Sequence, residues 1–116
     1  MNRREIGAVY EKRAAAYLQQ QGVSLIQRNY RTRSGEIDLV GLDGDYLVFF
    51  EVKYRADRSF GDPLMAVDFH KQRQIIHTAK QYLYTHRCRA DVPVRFDCIG
   101  ICGTEIRWVK NAFWGT

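Results

Sequence analysis

Glu51 and Lys53 stand two residues apart in Phe50-Glu51-Val52-Lys53-Tyr54, a run whose other members argue for burial. Side chains alternate along a strand with period two, so Leu47, Phe49, Glu51 and Lys53 share one face. Two ionisable groups buried there need each other as an ion pair, or they belong to a charged site. The segment Gly35-Glu36-Ile37-Asp38-Leu39 supplies a counterpart, with Glu36 and Asp38 expected on one face and Ile37 and Leu39 on the other. If a turn at Asp43-Gly44 makes the two strands neighbours, roughly 4.8 Å apart, Asp38 meets Glu51 across the ladder. Carboxylates that close repel unless a cation bridges them or one of them binds a proton. Mg²⁺ suits such a pair, being a hard ion held by one or two carboxylates with water and phosphate oxygens around it. Mn²⁺ is its substitute. Lys53, roughly 6.6 Å along the strand from Glu51, leaves room for a scissile phosphate or its attacking water.

Two helical residues repeat the anomaly. Gln72 falls inside the apolar stripe of Ile75, Ile76, Ala79 and Leu83, where an amide needs hydrogen-bond partners. It either points at the acidic cluster or stays in solvent at the helix start. Glu11 lies at the edge of the first helix's apolar face, with the same two alternatives. Tyr30, Arg31, Arg33, Arg55, Arg58 and Lys71 could line a phosphate-binding surface, against the simpler reading of solvated charge. Arg95 and Asp97 share a strand face as a structural pair. His70 and His77 flank the second helix's stripe on different sides, and no metal role is expected of them.

The elements that must position these residues follow from periodicity. A helix is expected over about 3–21, with Ile6, Tyr10, Ala14, Tyr17 and Leu18 on one face and Gly22 closing it. Strands are expected at about 23–31, 36–40 and 46–54, then a loop through Gly61 and Pro63, a long helix at about 67–86, and strands at 94–101 and 104–109. Short connections make the first three strands an antiparallel meander. The long helix is a right-handed crossover that places the fourth strand parallel to a meander strand. The fold class is therefore α/β, a mixed sheet with helices on its faces.

The chain has 116 residues, 46% hydrophobic and 27% charged, which suits one globular domain spanning 1–116. No apolar run approaches the ~20 residues needed to cross a bilayer, and no signal peptide is expected, so membrane and secreted classes are set aside. Three cysteines without a C-x-x-C fit free thiols in a cytoplasmic protein. The net charge of +5 suggests a polyanionic partner, but it is unevenly distributed. Residues 36–57 set Glu36, Asp38, Asp43, Asp45, Glu51 and Asp57 against only Lys53 and Arg55, an acidic segment between two basic flanks.

An acidic residue on one strand and Glu-x-Lys on the next, between two helices, resembles the PD-(D/E)XK nuclease superfamily. The ordered series Asn29-Tyr30-Arg31, Gly35 to Asp38, Phe50 to Arg55, Phe60-Gly61-Asp62-Pro63, Lys71-Gln72 and Arg95-Phe96-Asp97 looks like the bacterial YraN-type family of predicted endonucleases. The superfamily includes archaeal Holliday-junction resolvases. The resemblance covers about residues 5–101 and departs at Ile37, where the superfamily often has proline.

That resemblance implies a restriction-endonuclease-like core. It makes Asp38 and Glu51 Mg²⁺ ligands, with the Val52 carbonyl as a third, and gives Lys53 the attacking water and the pentavalent phosphorane-like state. Glu11 matches an early-helix acid and Gln72 the polar residue of the following helix. The implied activity is Mg²⁺-dependent hydrolysis of DNA, branched or structured DNA included, with a homodimer required for junction cutting. The alternative is a non-catalytic nucleic-acid-binding module on the same fold, and a third class is a protein-binding domain that uses the acidic pocket only structurally.

Overall fold

The computed structural model describes residues 1–56 and 67–114. Arg58 and the Phe60–Pro63 series therefore lie outside the described residues. Helix α1 spans Arg3–Gln20, its start capped by Asn2, whose side chain accepts the Glu5 N–H at 2.9 Å. Ala14, Ala15 and Leu18 are its buried contacts, and Gly22 follows with a φ of 95° that favours glycine.

Strands β1 (Ser24–Thr32), β2 (Gly35–Asp43) and β3 (Tyr46–Arg55) form the expected antiparallel meander, with Gly44 at φ 60° in the turn between β2 and β3. Helix α2 (Phe69–Thr85) begins at Asp68, whose carboxylate accepts the Lys71 N–H at 2.8 Å. It crosses to β4 (Val94–Cys102), which pairs in parallel with β3, and β5 (Glu105–Phe113) returns antiparallel to β4. The sheet order is β1-β2-β3-β4-β5, one parallel pair in a mixed five-stranded sheet with α1 and α2 on opposite faces. No helix among the described residues is long and apolar enough to cross a membrane.

Two cores flank the sheet because β3 is buried on both sides. Val48, Phe50 and Val52 pack with Leu18, Ile99 and Ile101 under α1. Leu47 and Phe49 pack with Ile75, Tyr82 and Phe96 under α2. Ile75, Ala79 and Tyr82 of the expected stripe are buried, joined by Thr78, whose hydroxyl donates to the Gln74 carbonyl at 2.9 Å.

Three expectations are corrected. β2 runs to Asp43 and β5 to Phe113, both beyond their expected ends, because each continues past an irregularity that interrupts simple alternation. More consequentially, Ile37 and Leu39 do not share a face. Leu39 joins the α1-side core, while Ile37 and Val40 join the α2-side core. The regular β2–β3 ladder stops at Leu39↔Phe50. On the other side, Asn29 lies between the pairs Arg28↔Leu39 and Tyr30↔Ile37 with a left-handed φ of 53°. Strict period two therefore fails at Asp38.

On β4, beside Phe50 in register, Asp97 is fully buried and fully partnered. It accepts from Arg95 at 2.8–3.2 Å, from the Trp108 indole at 2.9 Å and from the Asn111 N–H at 2.8 Å. Arg95 also donates to Asp43 at 2.7 Å, joining β2 to this network and holding the Asp43 carboxyl below its ordinary range. The network satisfies a charge that would otherwise be costly to bury.

Candidate functional site

The continuation of the β2–β3 register past Leu39↔Phe50 brings Asp38 opposite Glu51. The backbone pairing is interrupted there, and the Asp38 side chain takes over: its Oδ2 accepts the Val52 N–H at 2.8 Å. Glu51 is buried, only 6% exposed, and its backbone is paired with Cys98 on the β4 side. Its carboxyl is pushed up to about 9, first by burial, then by the Asp38 charge and a hydrogen bond with Asp38, while Lys71 and Lys53 pull the other way. At neutral pH the pair therefore holds a proton. The charge at Glu51 also adds to burial in raising the thiol of its β4 neighbour Cys98 to about 12.

Lys71 approaches Glu51 at 3.9 Å, from the first turn of α2. Gln72, the helix residue expected to turn toward the acids, donates instead to the Val67 carbonyl at 3.2 Å, within its own helix entry. The wheel places Gln72 on the apolar stripe, but it is Lys71 whose side chain approaches the acid. Lys53 lies on the same face as Glu51 and is half-buried.

Glu11 reaches the cluster from α1. Its carboxyl is raised to about 7 by burial, then by Asp38 and Glu36, with Arg31 and a hydrogen bond from Asn29 opposing. One of its oxygens, Oε1, is buried without a hydrogen-bond partner, an uncommon state for a buried carboxyl. The left-handed Asn29 thus stands where β1, Glu11 and Asp38 converge. Among the described residues no three His, Cys, Asp or Glu side chains assemble into a ready cage for a metal. What they form is a pair, Asp38 and Glu51, with Glu11 behind Asp38.

Two neighbouring carboxylates that retain a proton, beside an unpartnered carboxyl oxygen, are a donor set fitted to a hard divalent cation completed by water or phosphate oxygens. The Val52 carbonyl is near enough in sequence to join them, its amide already being tied to Asp38. The outer basic residues are less concentrated. Arg31 pairs with Glu36 at 3.0 Å, Arg33 is exposed in the β1–β2 turn, and Arg55 donates to the Tyr54 carbonyl at 2.8 Å. Arg31, Lys71 and Gln74 line one shallow basin beside Glu36. Sequence reasoning quoted Asn29 in the series that carries the family resemblance but gave it no role; its physical signal is that Asn tolerates left-handed backbone.

Fold and site together define a class: an α/β domain that sets a buried Glu51 against a half-buried Asp38 on adjacent strands, with Lys53 and Lys71 nearby. The match to known proteins is specific as well. The chain belongs to the uncharacterised protein family UPF0102, the YraN family, whose model matches residues 10–101. It is 47% identical over 113 residues to a UPF0102 protein of Lachnoclostridium phytofermentans, covering 97% of this chain and 96% of that one. A UPF0102 protein of Psychromonas ingrahamii is 49% identical over 110 residues, covering 92% and 88%, respectively. One from Pseudomonas putida is 41% identical over 112 residues, covering 92% and 91%.

Proposed function

We propose that this protein is a divalent-metal-dependent endonuclease of the PD-(D/E)XK type, with a restriction-endonuclease-like core, acting on DNA and on branched or structured DNA in particular. The observation that carries the reading is that buried Glu51 and half-buried Asp38 face each other across β3 and β2, with Asp38 tied to the Val52 N–H and the Glu51 carboxyl raised by burial and by Asp38. Asp38 and Glu51, with the Val52 carbonyl, would hold Mg²⁺ or Mn²⁺. That ion supplies positive charge to the phosphate and a water of lowered pKa. Lys53 orients the attacking water and offsets charge developing on the phosphate. Lys71 keeps Glu51 nearer its ionised form, and Glu11 adds a carboxyl behind Asp38. Arg31, Arg33, Arg55 and Lys71 bind the nucleic-acid backbone. The setting is cytoplasmic, in keeping with three free cysteines, and junction cutting would take a homodimer.

One observation favours a non-catalytic nucleic-acid-binding module instead, namely that no three-ligand group is assembled among the described residues. A cleavage panel separates the two. Single-strand, duplex, flap and four-way DNA are incubated with Mg²⁺ and with Mn²⁺, with Glu51→Gln and Lys53→Ala alongside. The endonuclease reading expects metal-dependent cleavage that falls by about 100-fold or more in each variant. Undiminished cleavage in both variants, or none by the parent protein on any substrate, overturns it.

A further inference from the structure

Among the described residues, Asn29, Arg87 and Asn111 are the ones other than glycine with a left-handed backbone. Arg87 follows His86, the cap of α2, at a position where helices commonly turn left-handed. The two asparagines differ in lying inside strands, and each serves an aspartate. Asn111 gives its N–H to the buried Asp97. Asn29 is flanked by the pairs Arg28↔Leu39 and Tyr30↔Ile37, which keep one register and so put it directly opposite Asp38. The irregularity between Leu25 and Gln27 is of another kind, because it shifts the register. A left-handed residue swings its peptide groups out of the plane in which strands exchange hydrogen bonds. On the far side of Asp38, the β2–β3 ladder begins only at Leu39↔Phe50. Among the described residues of β2, Asp38 alone therefore belongs to neither ladder, and its carboxylate accepts the Val52 N–H of β3.

We propose that Asn29 is a positioning residue for the cation site: its left-handed backbone releases Asp38 from the β1–β2 ladder, so that the Asp38 carboxylate is held at the Val52 N–H and against Glu51. Such backbone is costly for residues other than glycine and is kept where the surroundings enforce it. β1 is an edge strand, and an irregular residue there also discourages pairing with a foreign strand. A break anywhere along β1 would meet that need, and the one between Leu25 and Gln27 already does; this break falls at the position that faces Asp38. The backbone carries the effect rather than the side-chain amide, and Asn29 is exposed. Glycine, which takes left-handed backbone freely, should therefore replace it, whereas a β-branched residue should not. The inference rests on the cation-site reading of Asp38 and Glu51 and deepens it by naming what sets one ligand in place.

The test uses the full chain, first without metal and then with Mn²⁺. An NMR correlation passed through the hydrogen bond, from the Val52 amide nitrogen to the Asp38 carboxyl carbon, reads the contact itself, and calorimetry reads Mn²⁺ affinity. Asn29→Gly should keep the correlation and bind Mn²⁺ within about threefold of the parent protein. Asn29→Val should lose the correlation and bind Mn²⁺ about 10- to 100-fold more weakly, while still melting cooperatively. Should the valine variant fail to fold, Asn29→Ala is read in its place with the same expectation. Three results overturn the proposal: a correlation that survives in the valine or alanine variant, one that is lost in the folded glycine variant, or unchanged Mn²⁺ affinity where it has been lost. The cation-site reading fails separately. A parent protein that binds no Mn²⁺, but loses the correlation in the valine variant alone, keeps the hold of Asn29 on Asp38 and discards the ion. Mn²⁺ binding with a correlation indifferent to replacement of Asn29 does the reverse.

Discussion

Asp38 Oδ2 accepts the backbone N–H of Val52 at 2.8 Å, which makes a side chain of β2 the hydrogen-bond partner of the main chain of β3. One bond thereby accomplishes two things. It satisfies an amide that the interrupted ladder would leave orphaned, and it holds the Asp38 carboxyl against that of Glu51.

Stability should fall as pH rises. Glu51 is raised to about 9 and Glu11 to about 7, both from 4.5, so the folded protein binds more protons than the unfolded chain between those limits. Their contribution is fully present below pH 4.5 and is lost as pH climbs through about 7 for Glu11 and about 9 for Glu51. Thermal melts from pH 5 to 9 without metal should decline. Glu51→Gln should flatten the decline and stabilise the protein by about 1–3 kcal/mol at pH 8. A parent-like slope in that variant would contradict the assignment.

Divalent cations should reverse that trend. Mg²⁺ or Mn²⁺ has to displace the proton held by the Asp38–Glu51 pair, so binding releases protons and tightens with pH up to about 9. Calorimetry in buffers of different ionisation enthalpy reads the release directly. Asp38→Asn and Glu51→Gln should abolish both the heat and the metal-induced rise in melting temperature.

Lys71→Met should raise the Glu51 pKa further. The ammonium at 3.9 Å favours the carboxylate more strongly than Lys53 does, and methionine keeps the stem but loses the charge. Carbon-detected NMR titration of the glutamate carboxyls measures it, and an unmoved Glu51 would mean that the contact carries no electrostatic weight.

Asp97→Asn should destabilise the fold by about 3–5 kcal/mol in urea denaturation, because it leaves Arg95 short of its buried counter-charge. A loss under about 1 kcal/mol would show that Asp43 suffices as a partner.

The sequence made the helix–meander–crossover order legible, since element lengths and turns dictate it: the span between β3 and β4 holds one long amphipathic helix, enough for a parallel return. Glu51 stood out because a carboxylate in an otherwise apolar strand violates its surroundings. The face of Asp38 was not legible. It depends on a local break opposite Asn29, and the left-handed backbone of one asparagine leaves no periodic trace. Likewise a helical wheel orders Lys71 and Gln72 by angle but cannot tell which of them the first turn occupies with its own carbonyls. The Trp108–Asp97 bond was hidden for another reason, since it depends on the register of β5, including an irregularity between Phe96 and Cys98 on its partner strand.

That irregular register has a consequence for assembly. β5 is an edge strand with many exposed residues, anchored to the cores by Ile106, Trp108 and Phe113. A slip along β4 would move the Trp108 indole and the Asn111 amide away from Asp97. The chain would then enclose a carboxylate left with Arg95 of its three donor residues. Misalignment is thus penalised twice, by the donors lost to a buried carboxylate and by the packing lost at Trp108 and Phe113, and the last strand has a single seat.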